Sequence, residues 1–184
     1  MFNEKGYHAT SIQLLADALG FTKAALYHYF PSKEALLVEV VASIGNRLRD
    51  QLAEIITLRS SPEDQLRRWL RGHIELVLSA RNVFRVYLRE RNALSEPSAR
   101  TLHEGEHDYF VAVIGMIEEG IAEGAFRSVD ARSAAATLIG AANWTIEWVR
   151  PSASHASVAS EVADVLLGGL VQRSSRRQSP TPKK

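Results

Sequence analysis

Residues 2–37, FNEKGYHATSIQLLADALGFTKAALYHYFPSKEALL, restrict this chain more than any other stretch. They read as two short helices around a glycine turn, followed at once by the start of a third. Gly6 closes a first helical stub, as a residue free to adopt positive φ does at a helix C-terminus. Thr10 or Ser11 then offers a hydroxyl to the orphan N–H groups of a new helix. Along it Ile12, Leu15, Ala16 and Leu19 recur at i, i+3, i+4 and i+7, which makes one buried stripe. Gly20 stops that helix, and the apolar Phe21 is expected to tuck under the turn. Thr22 caps a second helix, Lys23 to Phe30, with Leu26 and Phe30 facing inward. That spacing leaves Lys23, Ala24, Tyr27 and His28 outward. Pro31 and Ser32 break and recap the chain, which places Lys33 in the first turn of a long third helix.

A short helix with small residues at its N-terminal end fits the major groove of DNA, and polar neighbours can meet phosphates. From Ala18 to Lys33 there are two lysines and no acid, which suits a polyanionic partner. Spacing alone leaves an ordinary amphipathic helical hairpin open. The residues go further: Phe2, Gly6-Tyr7, Ala9-Thr10-Ser11, Gly20, Leu26-Tyr27-His28-Tyr29-Phe30, Ser32-Lys33-Glu34 and Leu36-Leu37 resemble the N-terminal domain of TetR-family transcriptional repressors. That resemblance implies a recognition helix over Thr22–Phe30. It implies that Thr10, Tyr27 and Lys33 hold the DNA backbone, with Ser11 beside them, and that Thr22, Lys23, Ala24 and His28 face bases or adjacent phosphates. Against the family pattern most of the first helix is missing, because the chain starts at Met1, directly before Phe2. A stub of about five residues is below the length that stands alone in water, so either the true start lies upstream or the stub packs on the second and third helices through Phe2.

Composition sets the outer bounds. The 184 residues are 46% apolar, enough for a sizeable core, and carry a formal charge of +1, so DNA binding must come from a local patch. The absence of cysteine excludes disulfides and thiolate chemistry and is compatible with a reducing compartment. No apolar run of 18 residues and no signal-peptide pattern occur, so a cytoplasmic protein with no membrane span is expected.

The rest of the chain reads as helices only. The third helix continues from Ser32 to roughly Ile56, with Leu37, Val40, Val41, Ile44, Leu48, Leu52 and Ile55 on one side. Pro62-Glu63-Asp64 opens a helix with Leu66, Trp69, Leu70, His73, Ile74 and Val77 inward. Further helices are predicted over Val83 to Leu94, Glu96 to Glu123, Asp130 to Arg150 and Ala156 to Arg173. Residues 174–184, SSRRQSPTPKK, have the composition of a disordered basic tail. The expectation is an all-α protein of about nine helices: residues 1–46 a helix-turn-helix domain with a truncated first helix, 47–173 a ligand-binding and dimerisation domain, and 174–184 the tail.

The last two helices carry stripes of small and aliphatic residues too wide to leave in water, including Ala142, Val162, Val165, Leu166 and Gly169. Internal packing would account for them. The preferred reading is a two-fold interface that pairs both helices with their copies, as the family does. It would set two recognition helices roughly 34 Å apart on a near-palindromic operator.

Two chemical readings compete for the larger domain. His103-Glu104-Gly105-Glu106-His107 matches H-E-x-x-H, the zinc-hydrolase pattern that places two histidines on one helical face. Gly105 weakens that helix, and no Gly-x-x-His continuation offers a third ligand, so neither a metal site nor a cofactor is assigned. The other reading is a hydrophobic effector cavity lined by Trp69, Tyr87, Tyr109, Trp144 and Trp148, with Phe110 and Met116, although any one of these could be plain core. His73 is as readily a satisfied core histidine as a ligand contact. Arg81, Arg85 and Arg89 form a ridge that Glu104, Glu106 and Asp108 could neutralise. The stretches IEEGIAEGAFRSVDARSAAATLIGAANWTIEWVRP and VLLGGL resemble the TetR subgroup that controls fatty-acid and sterol degradation. That subgroup is released from DNA by acyl-CoA thioesters. The resemblance implies an acyl chain in the cavity and arginines, Arg85 and Arg89 among them, at its mouth. A ligand-independent DNA-binding protein is the remaining alternative.

Overall fold

The computed structural model describes residues 6–170, apart from the side chain of Ala93. The expected first stub, the packing of Phe2 and the basic tail lie outside the described residues. Within them the chain forms eight α-helices, one 3-10 turn and no strand, close to the expected nine helices.

The N-terminal unit follows its capping chemistry. Helix α1 (Ile12–Leu19) is capped by Ser11, whose hydroxyl accepts the Leu14 N–H at 3.2 Å. It ends at Gly20, whose φ of 71° lies in the left-handed region that costs a glycine nothing. Helix α2 (Lys23–Tyr29) is capped by Thr22 through the Ala25 N–H at 3.1 Å, and α3 (Lys33–Ile56) by Ser32 through the Ala35 N–H at 3.0 Å. Ile12, Leu15, Ala16 and Leu26 make a small core, with Phe30 and Leu36 packed against it. Two expectations fail at its edge, since Leu19 and Phe21 are both more than half exposed. The Phe21 N–H closes the turn by donating to the Ala16 carbonyl at 2.9 Å, which fixes its backbone while its ring points away from the four-residue core.

Helix α3 runs 24 residues, about 36 Å at 1.5 Å per residue, and buries Leu37 near its start and Ile44, Leu48, Leu52 and Ile55 farther on, the last four in the core of the larger unit. Val40, expected inward, is exposed. Helix α4 (Pro62–Ser79) starts with proline at its first position behind the Ser61 cap and buries Leu66, Trp69, Leu70, Ile74 and Val77. It is the centre of the larger unit. Around it pack α3, α5 (Arg81–Glu90), α6 (Glu96–Ala122), α7 (Ala131–Trp148) and α8 (His155–Leu167). The 3-10 turn Arg91–Ala93 joins α5 to α6.

Several boundaries shift from the sequence reading. Helix α5 begins two residues early and ends at Glu90 rather than Leu94, α7 stops at Trp148, and α8 ends at Leu167, with Gly168-Gly169 following it. No helix of the described residues is long and apolar enough to cross a membrane.

Candidate functional site

The proposed DNA-reading residues divide into two groups. Thr22, Lys23, Ala24, Tyr27 and His28 are exposed on one side of α2, and Lys23 Nζ lies 5.8 Å from the centre of the Tyr27 ring one turn on. Ser11 is exposed at the head of α1. Thr10 is different. It is wholly buried, and its hydroxyl donates to the Gly6 carbonyl at 2.8 Å, so it braces the turn before α1 rather than offering a face to a duplex. Lys33 is half-buried: its ammonium donates to the Tyr7 carbonyl at 2.7 Å and sits 4.2 Å over the Tyr7 ring. This ties the start of α3 to the turn preceding α1.

That same turn touches the larger unit. His8 Nε2 lies 3.3 Å from a Glu90 carboxylate oxygen at the C-terminal end of α5, and Glu90 is buried. From the first turn of α3, Glu34 accepts from both the N–H and the hydroxyl of Ser95, the residue that begins α6. The Ser95 hydroxyl, then that of Ser98, holds the Glu34 carboxyl below its usual range. Nothing in the spacing of these residues along the chain announces the pairs, because each joins positions at least 61 apart.

Between α3, α5 and α6 lies a cavity of about 100 Å³. Val41, Ile44, Leu48, Val83, Phe84 and Leu102 supply its apolar walls, and Tyr87 and Tyr109 reach it from two sides. The Tyr87 hydroxyl donates to Glu106 at 2.5 Å, and burial, reinforced by that carboxylate, pushes its pKa well up. Behind Tyr109 stands a closed polar chain. The Trp69 N–H donates to the Tyr109 hydroxyl at 2.7 Å, that hydroxyl meets His73 Nδ1 at 2.7 Å, and His73 Nε2 meets Asn143 Oδ1 at 3.0 Å. One tautomer satisfies every member: Tyr109 donates to Nδ1, and Nε2–H donates to Asn143. Burial lowers the His73 pKa to about 4, so the imidazole is neutral.

Of the expected cavity residues, then, Tyr87 and Tyr109 line it, and Trp69 and His73 back it. Four are elsewhere. Trp144 and Trp148 are 65% and 54% exposed on the outer face of α7, because Ala135, Leu138, Ala142 and Ile146 already fill the inner one. Arg85 donates to the Ile146 carbonyl at 2.8 Å and pairs with Glu147 at 3.4 Å, which pins α5 to α7. Arg89 is exposed away from the cavity. The arginine ridge therefore does not meet Glu104, Glu106 and Asp108 as expected.

The cation that does line the cavity is Arg49, which sequence reasoning passed over. Its signal was a glycine in the middle of each of two long helices. Gly45 lies one turn before it on α3, and on α6 a Cβ at Gly105 would come within 2.4 Å of the Arg49 guanidinium.

On the dimer side, Val165 is 78% exposed, Val162 and Leu166 are half-buried and Gly169 is exposed, whereas Ala142 is wholly buried against the core. Ala142 therefore packs internally, which corrects its placement at an interface. His103, Glu104 and His107 are all exposed along α6, and no group of three or more metal-ligating side chains exists among the described residues. A catalytic zinc takes three protein ligands, so the two histidines lack a partner there.

Comparisons with known proteins agree with this architecture. Residues 1–40 match the family model for bacterial regulatory proteins of the tetR family, and residues 59–170 match the tetracyclin repressor-like C-terminal domain. The chain is 26% identical over 174 residues to the HTH-type transcriptional repressor KstR2 of Rhodococcus jostii, covering 92% of this chain and 85% of that protein. It superposes on PfmR, a TetR-family regulator of Thermus thermophilus, with a TM-score of 0.84 at 32% identity, covering 93% and 94% of the two chains. It also superposes on AibR solved with isovaleryl coenzyme A and operator DNA, with a TM-score of 0.78 at 25% identity, covering 92% and 91%.

Proposed function

Because this chain belongs to the TetR family of bacterial regulatory proteins, we propose that it is a cytoplasmic, homodimeric repressor that leaves a near-palindromic operator when a hydrophobic small molecule, an acyl-CoA or its relative, enters the cavity. One observation carries the reading. The cavity is walled by α3, whose first turn holds the turn before α1 through Lys33 and the head of α6 through Glu34. A ligand that favours one tilt of α3 or one position of α5 shifts α2 with it, through Lys33–Tyr7 on one side and Glu90–His8 on the other. The coupling can be no larger than the ligand's differential affinity for the two arrangements.

In this reading residues 1–46 read DNA, with Lys23, Ala24, His28 and Thr22 on bases and Tyr27 on phosphate, while the larger unit senses and dimerises. Trp144, Trp148 and Val165 give α7 and α8 an apolar outer surface, and Val162, Leu166 and Gly169 continue it. Pairing that surface with its copy spaces two α2 helices by one turn of DNA, about 34 Å. AibR, a structural relative, is described with both an acyl-CoA and operator DNA, which supports joining the two activities in one chain.

The test is a binding-site selection with the full chain, followed by displacement of the selected duplex by a panel of acyl-CoA thioesters. A palindromic consensus and displacement by at least one thioester are expected. A chain that selects no sequence, or a selected complex that no hydrophobic compound disturbs, contradicts the proposal.

A further inference from the structure

Arg49 is out of keeping with the walls around it. It lies half-buried on the cavity side of α3, between Leu48 and Leu52, and its guanidinium rests against Gly105 of α6. Any side chain at position 105 would meet it: a Cβ there would stand 2.4 Å from one terminal nitrogen and 3.2 Å from the guanidinium carbon. The missing Cβ leaves a slot into which one terminal nitrogen of the guanidinium fits against the helix. Among the described residues Arg49 forms no ion pair, and its one hydrogen bond goes to Asn46 a turn earlier. The cavity's other charge, Glu106, is engaged by the Tyr87 hydroxyl. An arginine carries five N–H donors in a fixed fork, so most of the Arg49 donors are uncommitted beside an apolar space.

The size of that space limits what can fill it. An apolar cavity of about 150 Å³ admits benzene. At about 100 Å³ this one holds roughly four to five carbon atoms, and a fused-ring system or a longer chain would have to extend out of it past Tyr87, Leu102 and Glu106. With so short a chain in the cavity, the atoms that reach Arg49 are those attached directly to it.

We propose that the effector is a short-chain acyl compound of about four to five carbons, whose hydrocarbon fills the cavity between α3, α5 and α6 and whose acyl oxygen accepts hydrogen bonds from the Arg49 guanidinium. A free carboxylate and a thioester carbonyl both present that oxygen, the first as a bidentate charged pair and the second as a single charge-assisted bond. Arg49 thereby sets which head group is read, and the cavity sets which chain length. This rests on the reading of the cavity as the effector site.

Calorimetry on the full chain tests it with four probes: butyrate, butyryl-CoA, decanoyl-CoA and S-butyl-CoA, the thioether that lacks the carbonyl. Butyrate or butyryl-CoA should bind, and which of them does identifies the source of the acyl group. Decanoyl-CoA should bind at least tenfold more weakly than the better of the two. If butyryl-CoA is the ligand, S-butyl-CoA should lose at least tenfold. Arg49→Met should weaken the bound butyryl compound by at least tenfold and leave S-butyl-CoA unchanged. Gly105→Ala, which displaces the guanidinium while keeping its charge, should weaken the butyryl compound without lowering the melting temperature, and so separates loss of the slot from loss of the fold.

Equal or tighter binding of decanoyl-CoA, or an Arg49→Met protein that binds the butyryl compound as the parent does, overturns the inference. If decanoyl-CoA displaces DNA equally well from both proteins, the ligand-responsive reading stands and this inference alone falls. If no acyl compound binds a chain that still binds DNA, both fall.

Discussion

Glu34 caps a helix to which it does not belong: one of its carboxylate oxygens accepts the Ser95 N–H at 2.9 Å and the Ser95 hydroxyl at 2.5 Å. Ser95 leads α6 but makes no side-chain cap bond of its own, so the first turn of α3 supplies the anion that the N-terminus of α6 attracts. Glu34→Ala should cost about 1 kcal/mol, the usual loss for a cap, read as a lower denaturation midpoint. The more telling readout is the ratio of operator affinities with and without effector, which should fall toward one while both ligands still bind. Because the carboxyl is held below its ordinary range, the contact is present at neutral pH and is lost as pH falls through that lowered value.

The Trp69–Tyr109–His73–Asn143 chain makes a second prediction. Tyr109→Phe deletes the hydroxyl that Trp69 and His73 share and strands two buried polar atoms. Each costs on the order of 1 to 3 kcal/mol, so the variant should unfold at clearly lower urea although the change removes a single oxygen.

His73 gives that network a pH signature. Its folded pKa of about 4 lies below the ordinary 6.5, so as pH falls the unfolded chain takes up the proton first. Stability should therefore be full above about pH 6.5, decline down to about pH 4 and level off below, by up to an amount on the order of 3 kcal/mol. Urea melts across that window measure it. His73→Gln should flatten the slope there, even though the variant is less stable throughout.

How far these features could be read from the chain depended on whether they are local. Ser11, Thr22, Ser32, Ser61, Asp130 and Ser154 all cap the helices they precede, because a cap and its N–H lie three residues apart. Helical periodicity likewise put Leu66, Trp69 and Ile74 inside. It could not say which of two apolar faces is the inner one. On α7 both faces are apolar, so Trp144 and Trp148 looked like cavity walls until Ala135, Leu138, Ala142 and Ile146 took the core side. Contacts across the fold were least legible. Arg85 meets Glu147, not the acids of α6, and Arg49 meets a glycine on α6, because helix packing rather than sequence distance decides both.

The outer surface of α7 and α8 yields a further prediction. Val165 is 78% exposed at its centre, and a carboxylate there would be desolvated on pairing without a partner cation. Val165→Glu should leave the folded protomer intact, since the side chain touches little within it, and convert a dimer to a monomer in sedimentation. Operator affinity should drop at the same time, because a single α2 reads only one half-site.

Lys23 and Tyr27 should separate affinity from specificity. They are neighbours one turn apart on the exposed face of α2, with the ammonium 5.8 Å from the ring centre. Tyr27→Phe removes a hydroxyl suited to phosphate and should weaken all sequences by a similar factor, leaving the selected consensus unchanged. Lys23→Ala removes a donor that can reach base edges. One good base contact discriminates by about 1 to 3 kcal/mol, so its loss should relax the preference at one position of each half-site by roughly fivefold or more. Competition binding against single-base variants of the selected operator decides the matter. If Lys23→Ala weakens every variant equally, Lys23 is a backbone contact, and the base-reading role passes to Ala24, His28 and Thr22.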